Sequence, residues 1–319
     1  MFRPVRVLLT CCALVCVSAP AGCSIEDTRA TGAPSPSPSP AEATPRPTAP
    51  FVPRPADLPR GGRTVFPRHQ LVAYVGMPGS PELGPLDADL DARADRLERV
   101  ARMYAAGRVP LPVMELIAVV ANAHPGPDRM YRSRINDAEV DRYLAVARRH
   151  RMLLLIDIQP GRADPLREIR RYERWLTQPD VGLAFDPEWA VGPRQIPGDV
   201  FGHTTGAELD AIASYLSGLV TRHGLPEKVF VFHQLSPLIV SKERALRQHP
   251  GVATIKSVDG IGPRTEKIKT WNRLVPGRAA GVQPGFKLFY DEDTRHHGRL
   301  MTAAEVLALR PRPVLVTYE

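Results

Sequence analysis

The sequence predicts a single (β/α)8, TIM-like barrel over residues 65–319, and three observations predict it. From Gln70 onward eight short apolar runs recur, amphipathic stretches with helix-start signals lie between them, and the ~250 residues involved match the usual size of such a barrel. Each run is largely apolar and reads as a strand buried on both faces.

The runs follow one another as Leu71–Gly76, Met114–Ala121, Leu153–Ile158, Val181–Phe185, Val229–Phe232, Val252–Val258, Gly285–Tyr290 and Val314–Tyr318. Asn136-Asp137-Ala138-Glu139 caps a helix running to about Arg151, and Asp164-Pro165 opens another. Thr205-Gly206-Ala207-Glu208 caps a third that runs to His223, with Gly224 as its stop. The segment after the fifth run is short for a helix, and the loop around the seventh is irregular. A doubly wound open sheet is the alternative, but no Gly-rich phosphate fingerprint follows the first run.

Residues 1–22 have the parts of an export signal: Arg3 and Arg6, the apolar run Val7–Val17, and a small-residue stretch before Cys23. The apolar run is shorter than the roughly 20 residues that a membrane-spanning helix needs. Ala21-Gly22-Cys23 resembles the end of a bacterial lipobox, with Pro20 where an aliphatic residue is usual. That resemblance implies cleavage before Cys23, acylation of its thiol and anchoring at the extracytoplasmic face of the cell membrane; the alternative is an ordinary secretory signal. Residues 23–64 are Pro/Ser/Thr/Ala-rich and cannot bury enough apolar area to offset their ordering entropy, so they read as a disordered tether.

The remaining composition excludes more than it assigns. All four cysteines lie in the first 23 residues, so the barrel can carry neither a disulfide nor a Cys-based zinc site. The formal charge is +8, but the basic residues are overwhelmingly arginine and are interleaved with acids, as in 89–102, so nucleic acid is not expected as a partner. The adjacent imidazoles of His296-His297 point in different directions and are not read as a metal site. No cofactor is expected, and the chain is expected to be a monomer.

The polar residues at the run ends carry the functional signal, because barrel chemistry sits at the carboxyl ends of the strands. Those ends read Asn122 and His124, then Asp157 with Gln159, Asp186-Pro187-Glu188-Trp189, His233-Gln234, Asp259, Lys287 with Tyr290, and Tyr318. Strand alternation would place Asp186 and Glu188 on one side, and two carboxylates so close should leave one with a raised pKa, which a general acid needs. Asp157 and Asp259 are candidates for a second catalytic carboxylate. Gln159, Trp189, His233, Gln234, Lys287, Tyr290, Tyr74 and Tyr318 are candidate substrate contacts, and Gly260 and Gly262 suggest close backbone approach to a ligand.

Leu183-Ala184-Phe185-Asp186-Pro187-Glu188-Trp189 resembles the Asp-x-Glu strand of barrel glycoside hydrolases, both chitinase-like enzymes and barrel-type muramidases. The resemblance implies Glu188 as proton donor and Asp186 as its assistant. Ala184 and Val181 stand where chitinases carry further acids, so substrate-assisted chemistry is not implied. Asp186–Trp189, His233-Gln234, 259–262 and 285–290 together resemble a family of exported bacterial TIM-barrel-like lipoproteins, a likeness that implies fold and export rather than an activity.

Three readings therefore stand: an anchored glycoside hydrolase acting on a cell-wall or extracellular glycan; a glycan- or ligand-binding lipoprotein without turnover; and a metal-dependent phosphodiesterase or deacetylase using Asp157, Asp186, Glu188, His233 and Asp259 as ligands.

Overall fold

The computed structural model describes residues 57–295 and 298–319, so the export signal, Cys23, most of the linker and His296-His297 lie outside the described residues. Eight parallel strands form the barrel: β1 (His69–Gly76), β2 (Val109–Ala121), β3 (Leu153–Ile158), β4 (Val181–Phe185), β5 (Lys228–Gln234), β6 (Val252–Val258), β7 (Gln283–Leu288) and β8 (Leu315–Tyr318). Each pairs with the next, and β1 pairs with both β2, from His69↔Val109 onward, and β8, from Leu71↔Leu315 onward. That double pairing closes the ring and leaves it without an edge.

Helices α1 (Leu90–Met103), α2 (Asp137–Arg149), α3 (Pro165–Arg170), α4 (Glu173–Leu176), α5 (Gly206–His223), α6 (Arg264–Leu274) and α7 (Ala303–Leu307) fill the connections. Their starts follow the capping logic of the sequence. Asn136 accepts from Glu139 N–H, Asp164 accepts from Arg167 N–H, and Thr205 with Glu208 forms a reciprocal capping box. Gly224 ends α5 at φ 59°, a left-handed position that glycine takes without Cβ strain. Between β5 and β6 the one helical element is the 3-10 turn Glu243–Ala245, preceded by the two-residue strand Val240–Ser241, which accounts for the short segment noted after the fifth run.

Two apolar layers follow from strand alternation. Outward-facing side chains such as Val72, Met114, Leu154, Phe230 and Val316 pack under the helices. Inward-facing ones, Leu71, Ala73, Leu111, Val113, Leu155, Val231 and Ile255 among them, fill the lower barrel together with Leu58 and Val65 from the segment ahead of β1. Leu58 lies within the stretch read from composition as tether; here it plugs the amino-terminal end of the barrel, and Arg60 holds that plug to Glu98 on α1 at 2.6 Å. The apolar filling stops two layers below the carboxyl ends. Above it most inward positions are polar, with Val75 on β1, in register with Glu115, an exception.

Candidate active site at the barrel mouth

Continuing the inward register upward places Glu115 on β2, Asp157 on β3, His233 on β5, Ser257 on β6, Lys287 on β7 and Thr317 on β8 inside the ring, all buried. Asp186, Glu188, Asp259 and Glu319 follow at or just past the strand ends. Asp157, Asp186, Glu188 and Asp259 thus share one rim, and the most exposed of them, Glu188, is only 8% accessible.

The centre of the layer is a run of alternating charges. His233 Nδ1–H donates to Asp259 Oδ2 at 2.8 Å, and Ser257 Oγ–H donates to Asp259 Oδ1 at 2.7 Å. Lys287 Nζ lies 3.4 Å from Asp259 Oδ2 and 2.5 Å from Glu319 Oε2. On the other side of the imidazole, Nε2 stands 3.0 Å from Glu115 Oε1 and 3.9 Å from Asp186 Oδ1. The Glu115 contact is close but out of hydrogen-bond alignment, so both Glu115 oxygens and Nε2 lack a hydrogen bond among the described residues.

This arrangement sorts the protonation states. Burial works against charge on Asp259, yet His233, Lys287 and the two hydrogen bonds override it and hold its carboxyl well below the usual carboxylate range. Burial likewise opposes the His233 cation, but Asp259 and its other acidic neighbours push the imidazole well above its ordinary value. Burial pushes the Asp157 carboxyl well up, and Asp186 and Glu115 add to it. Glu188 is raised by burial first and then by the Asp186 and Asp259 charges. Asp186 is also raised by burial, with His233 and Lys287 drawing it back. The mouth therefore combines a carboxyl pulled down, Asp259, with one pushed up, Glu188, the contrast of unlike carboxyls that acid–base chemistry needs.

The Asp-Pro-Glu segment reaches this geometry by a route other than strand alternation. β4 ends at Phe185, and Pro187–Trp189 forms a 3-10 turn with Asp186 at its start. The expectation that Asp186 and Glu188 share a side through a period of two fails because the backbone is no longer extended. The turn nevertheless keeps both carboxyls buried at the mouth. Gln159, one residue past β3, joins the layer: its amide Nε2–H donates to Asp186 Oδ2 at 2.9 Å while its Oε1 accepts from Ala121 N–H at 3.1 Å.

Other candidates sit elsewhere. Tyr74 and Tyr318 point outward from their strands and, with Tyr104 and Tyr290, make an aromatic cluster beneath α1. In it Tyr104 and Tyr318 share a hydroxyl hydrogen bond of 2.7 Å, and Tyr290 stacks on Tyr318 at 5.5 Å. Gln234 faces away from the ring and donates to Ser236 O at 3.0 Å. Trp189 is half-buried at the end of the 3-10 turn. Asn122 and His124 belong to the loop that follows β2, where the Asn122 amide donates to Ser133 Oγ at 3.0 Å. The close approach at Gly260 is to α6, against Lys267 and Thr270.

No protein-family model matches the chain, and no curated protein does. Among solved structures it is similar to a xylanase and α-amylase inhibitor protein from Scadoxus multiflorus at 10% identity and a TM-score of 0.44, covering 78% of this chain and 92% of that one. A hyperthermophilic endo-β-1,4-glucanase in complex with substrate aligns at 9% identity and a TM-score of 0.37, covering 77% and 88%. An endo-β-N-acetylglucosaminidase from Cordyceps militaris aligns at 8% identity and 0.37, covering 78% and 81%. The likeness is one of barrel architecture. At so low a score it says nothing about the mouth.

Four members of the polar layer are absent from the run-end pattern: Glu115, Ser257, Thr317 and Glu319. Glu115 carried a signal, an acid within an otherwise apolar run and in register with Leu111 and Val113. Ser257 lies two before Asp259 and shares its face. Among the described residues no three His, Cys, Asp or Glu side chains converge so as to hold a metal ion.

Proposed function

We propose that the barrel mouth is a carboxylate acid–base site for a glycan, with Glu188 as proton donor. The observation that carries this reading is the contrast between Glu188, whose carboxyl is pushed up by burial and neighbouring acids, and Asp259, whose carboxyl His233, Lys287 and Ser257 pull down at the same rim. In glycoside hydrolysis a carboxylic acid protonates the leaving-group oxygen as the glycosidic bond breaks, and a carboxylate stabilises the oxocarbenium-like centre or activates water. Glu188 supplies the first role and Asp259 the second. Asp186, tethered by Gln159, assists by holding the proton on Glu188. The ion-pair contacts of His233 are with Asp259, Glu115 and Asp186, and it serves to fix Asp259.

The site supports acid–base hydrolysis better than metal chemistry, which requires several of these side chains to close on one point. A second reading, ligand capture without turnover, is favoured by the depth of burial, since none of Asp157, Asp186, Glu188 and Asp259 is more than a tenth exposed. Glu188→Gln separates the two. Loss of sugar release from cell-wall polysaccharide, with the thermal midpoint nearly unchanged, supports turnover. Saturable binding with no product in the native protein supports capture, and unaltered hydrolysis in the variant contradicts the role of Glu188.

The lipobox-like stretch ending at Cys23 supports anchoring of this barrel at the extracytoplasmic face of a membrane. Incorporation of labelled palmitate that is lost in Cys23→Ser is the corresponding test.

A further inference from the structure

The loops that leave the acid layer display apolar side chains. Among the described residues five large apolar side chains are exposed, and four of them, Val200, Phe201, Leu238 and Ile261, lie on the loops following β4, β5 and β6. Phe201 is 64% accessible and Leu238 84%. Single exposed apolar residues are ordinary on any surface, but four on three successive loops of one face are a patch.

The patch is fastened to the candidate site. Gly202 N–H donates to the Glu188 carbonyl at 2.6 Å, and His203 N–H donates to the Ala190 carbonyl at 3.0 Å. Thr204 N–H donates to the Ile239 carbonyl at 2.8 Å, and Thr204-Thr205 pair in parallel with Val240-Ser241, so the Phe201 and Leu238 loops are joined. A Cβ at Gly202 would overlap the Ala190 backbone, so this close seat admits only glycine. Ile261 follows Asp259 by two residues, and Gly262 N–H donates to Asp293 Oδ1 at 3.1 Å, which buried Lys267 pairs at the same carboxylate, 2.8 Å from Oδ2. The apolar side chains are therefore displayed to water on backbone that is pinned to the rim.

We propose that Val200, Phe201, Leu238 and Ile261 form an apolar subsite adjoining Glu188 that holds a hydrocarbon chain attached to the same ligand whose polar part enters the mouth: an amphiphilic glycan, a saccharide carrying an acyl or polyprenyl chain. The proposal rests on the reading of the mouth as a glycan site. Four side chains fall short of the roughly 800 Å² per partner of a stable protein interface. Exposed Arg194, Lys242, Arg244 and Arg264 share these loops and their flanks with exposed Asp199 and Glu266, so the charge there is mixed rather than the uniform positive field that an anionic bilayer favours. A short hydrocarbon chain leading out of the mouth fits both facts.

The test uses the full chain, the double variant Phe201→Ser/Leu238→Ser and, separately, Glu188→Gln, with N-phenyl-1-naphthylamine as fluorescent probe and decyl β-glucoside below its micelle concentration as competitor. The native protein should bind the probe at least tenfold more tightly than the double variant, decyl glucoside should displace it where glucose does not, and Glu188→Gln should bind it like the native chain. Equal binding by native and double-variant chains would overturn the proposal. So would a native dimer that the double variant converts to monomer, or native binding to phosphatidylglycerol vesicles that the double variant loses, since each gives the patch to another occupant. Failure of the mouth reading shows in the turnover of Glu188→Gln, and failure of the apolar subsite shows in the Phe201→Ser/Leu238→Ser titrations.

Discussion

Replacing Lys287 with methionine removes a cation from the middle of the acid layer while keeping most of the stem's volume. Lys287 is 5% accessible, and its Nζ serves Glu319 at 2.5 Å and Asp259 at 3.4 Å. Without it Asp259 retains His233 and Ser257, but Glu319 loses its ion-pair partner. Removing one partner of a buried ion pair costs about 3–5 kcal/mol. The Glu319 side chain is 21% accessible, so water takes up part of the lost interaction. The expected loss is therefore at the lower end, about 3 kcal/mol.

The pH dependence of that loss follows from the shifts. Lys287 is raised well above its ordinary value: burial opposes its charge, but Glu319 and Asp259 override burial. Its contribution is thus complete below about pH 10 and fades only as pH rises through the folded value. Asp259 is depressed, so its contribution is present above about pH 4 and fades as pH falls through the folded value. Both are intact from about pH 5 to pH 9. Glu319 and Asp186, however, raised by burial and drawn back by Lys287, rise further in Lys287→Met, so the gap between native and variant should widen as pH rises across that window. Urea melts of the native chain, Lys287→Met, Glu319→Gln and the double variant supply the measurement, with the double expected to cost less than the two singles together by about 0.5–3 kcal/mol. A loss below about 1 kcal/mol for Lys287→Met, with additive singles, would refute the account of a charge-balanced layer.

Three further outcomes are expected. His233, raised by Asp259 against the opposing effect of burial, should show both ring nitrogens protonated by 15N NMR at pH 7.5; its stabilising contribution should be whole below about pH 6.5 and lost only as pH climbs through the higher folded value. Thr205→Ala removes the capping box of α5 and should lower stability by about 1 kcal/mol in chemical denaturation, with Thr205→Gly costing less. Gly202→Ala drives a Cβ into the Ala190 backbone beside Glu188, so hydrogen exchange should rise at Gly202 and His203 while the strands stay protected.

The architecture was legible because its signals are local. All eight apolar runs correspond to strands, and the caps at Asn136, Asp164 and Thr205 start the helices they mark. Strand limits were less legible: β5 continues through His233 and Gln234, because residues at a polar rim can extend a ladder without adding hydrophobicity. At the site, Asp157, Gln159, Asp186, Glu188, His233, Asp259 and Lys287 were readable as run-end residues, and the structure brings them together. Glu115 was hidden because it lies inside a run rather than at its end, and its inward direction follows only once register is known. Tyr74 and Tyr318 illustrate the converse. Tyr318 ends an apolar run and Tyr74 lies inside one, but the alternation that sends Thr317 and Ala73 inward sends them out beneath α1. Asp186 and Glu188 were placed together by an argument that assumed extended backbone, which the turn at Pro187 replaces.

The protonation state of Glu188 tests the central claim most directly. Difference infrared spectroscopy of the native chain against Glu188→Gln, titrated from pH 4 to pH 9, isolates its carboxyl stretch. A protonated carboxylic acid persisting at pH 7 is the predicted result, and a carboxylate already formed by pH 5 would contradict the assignment of Glu188 as the acid.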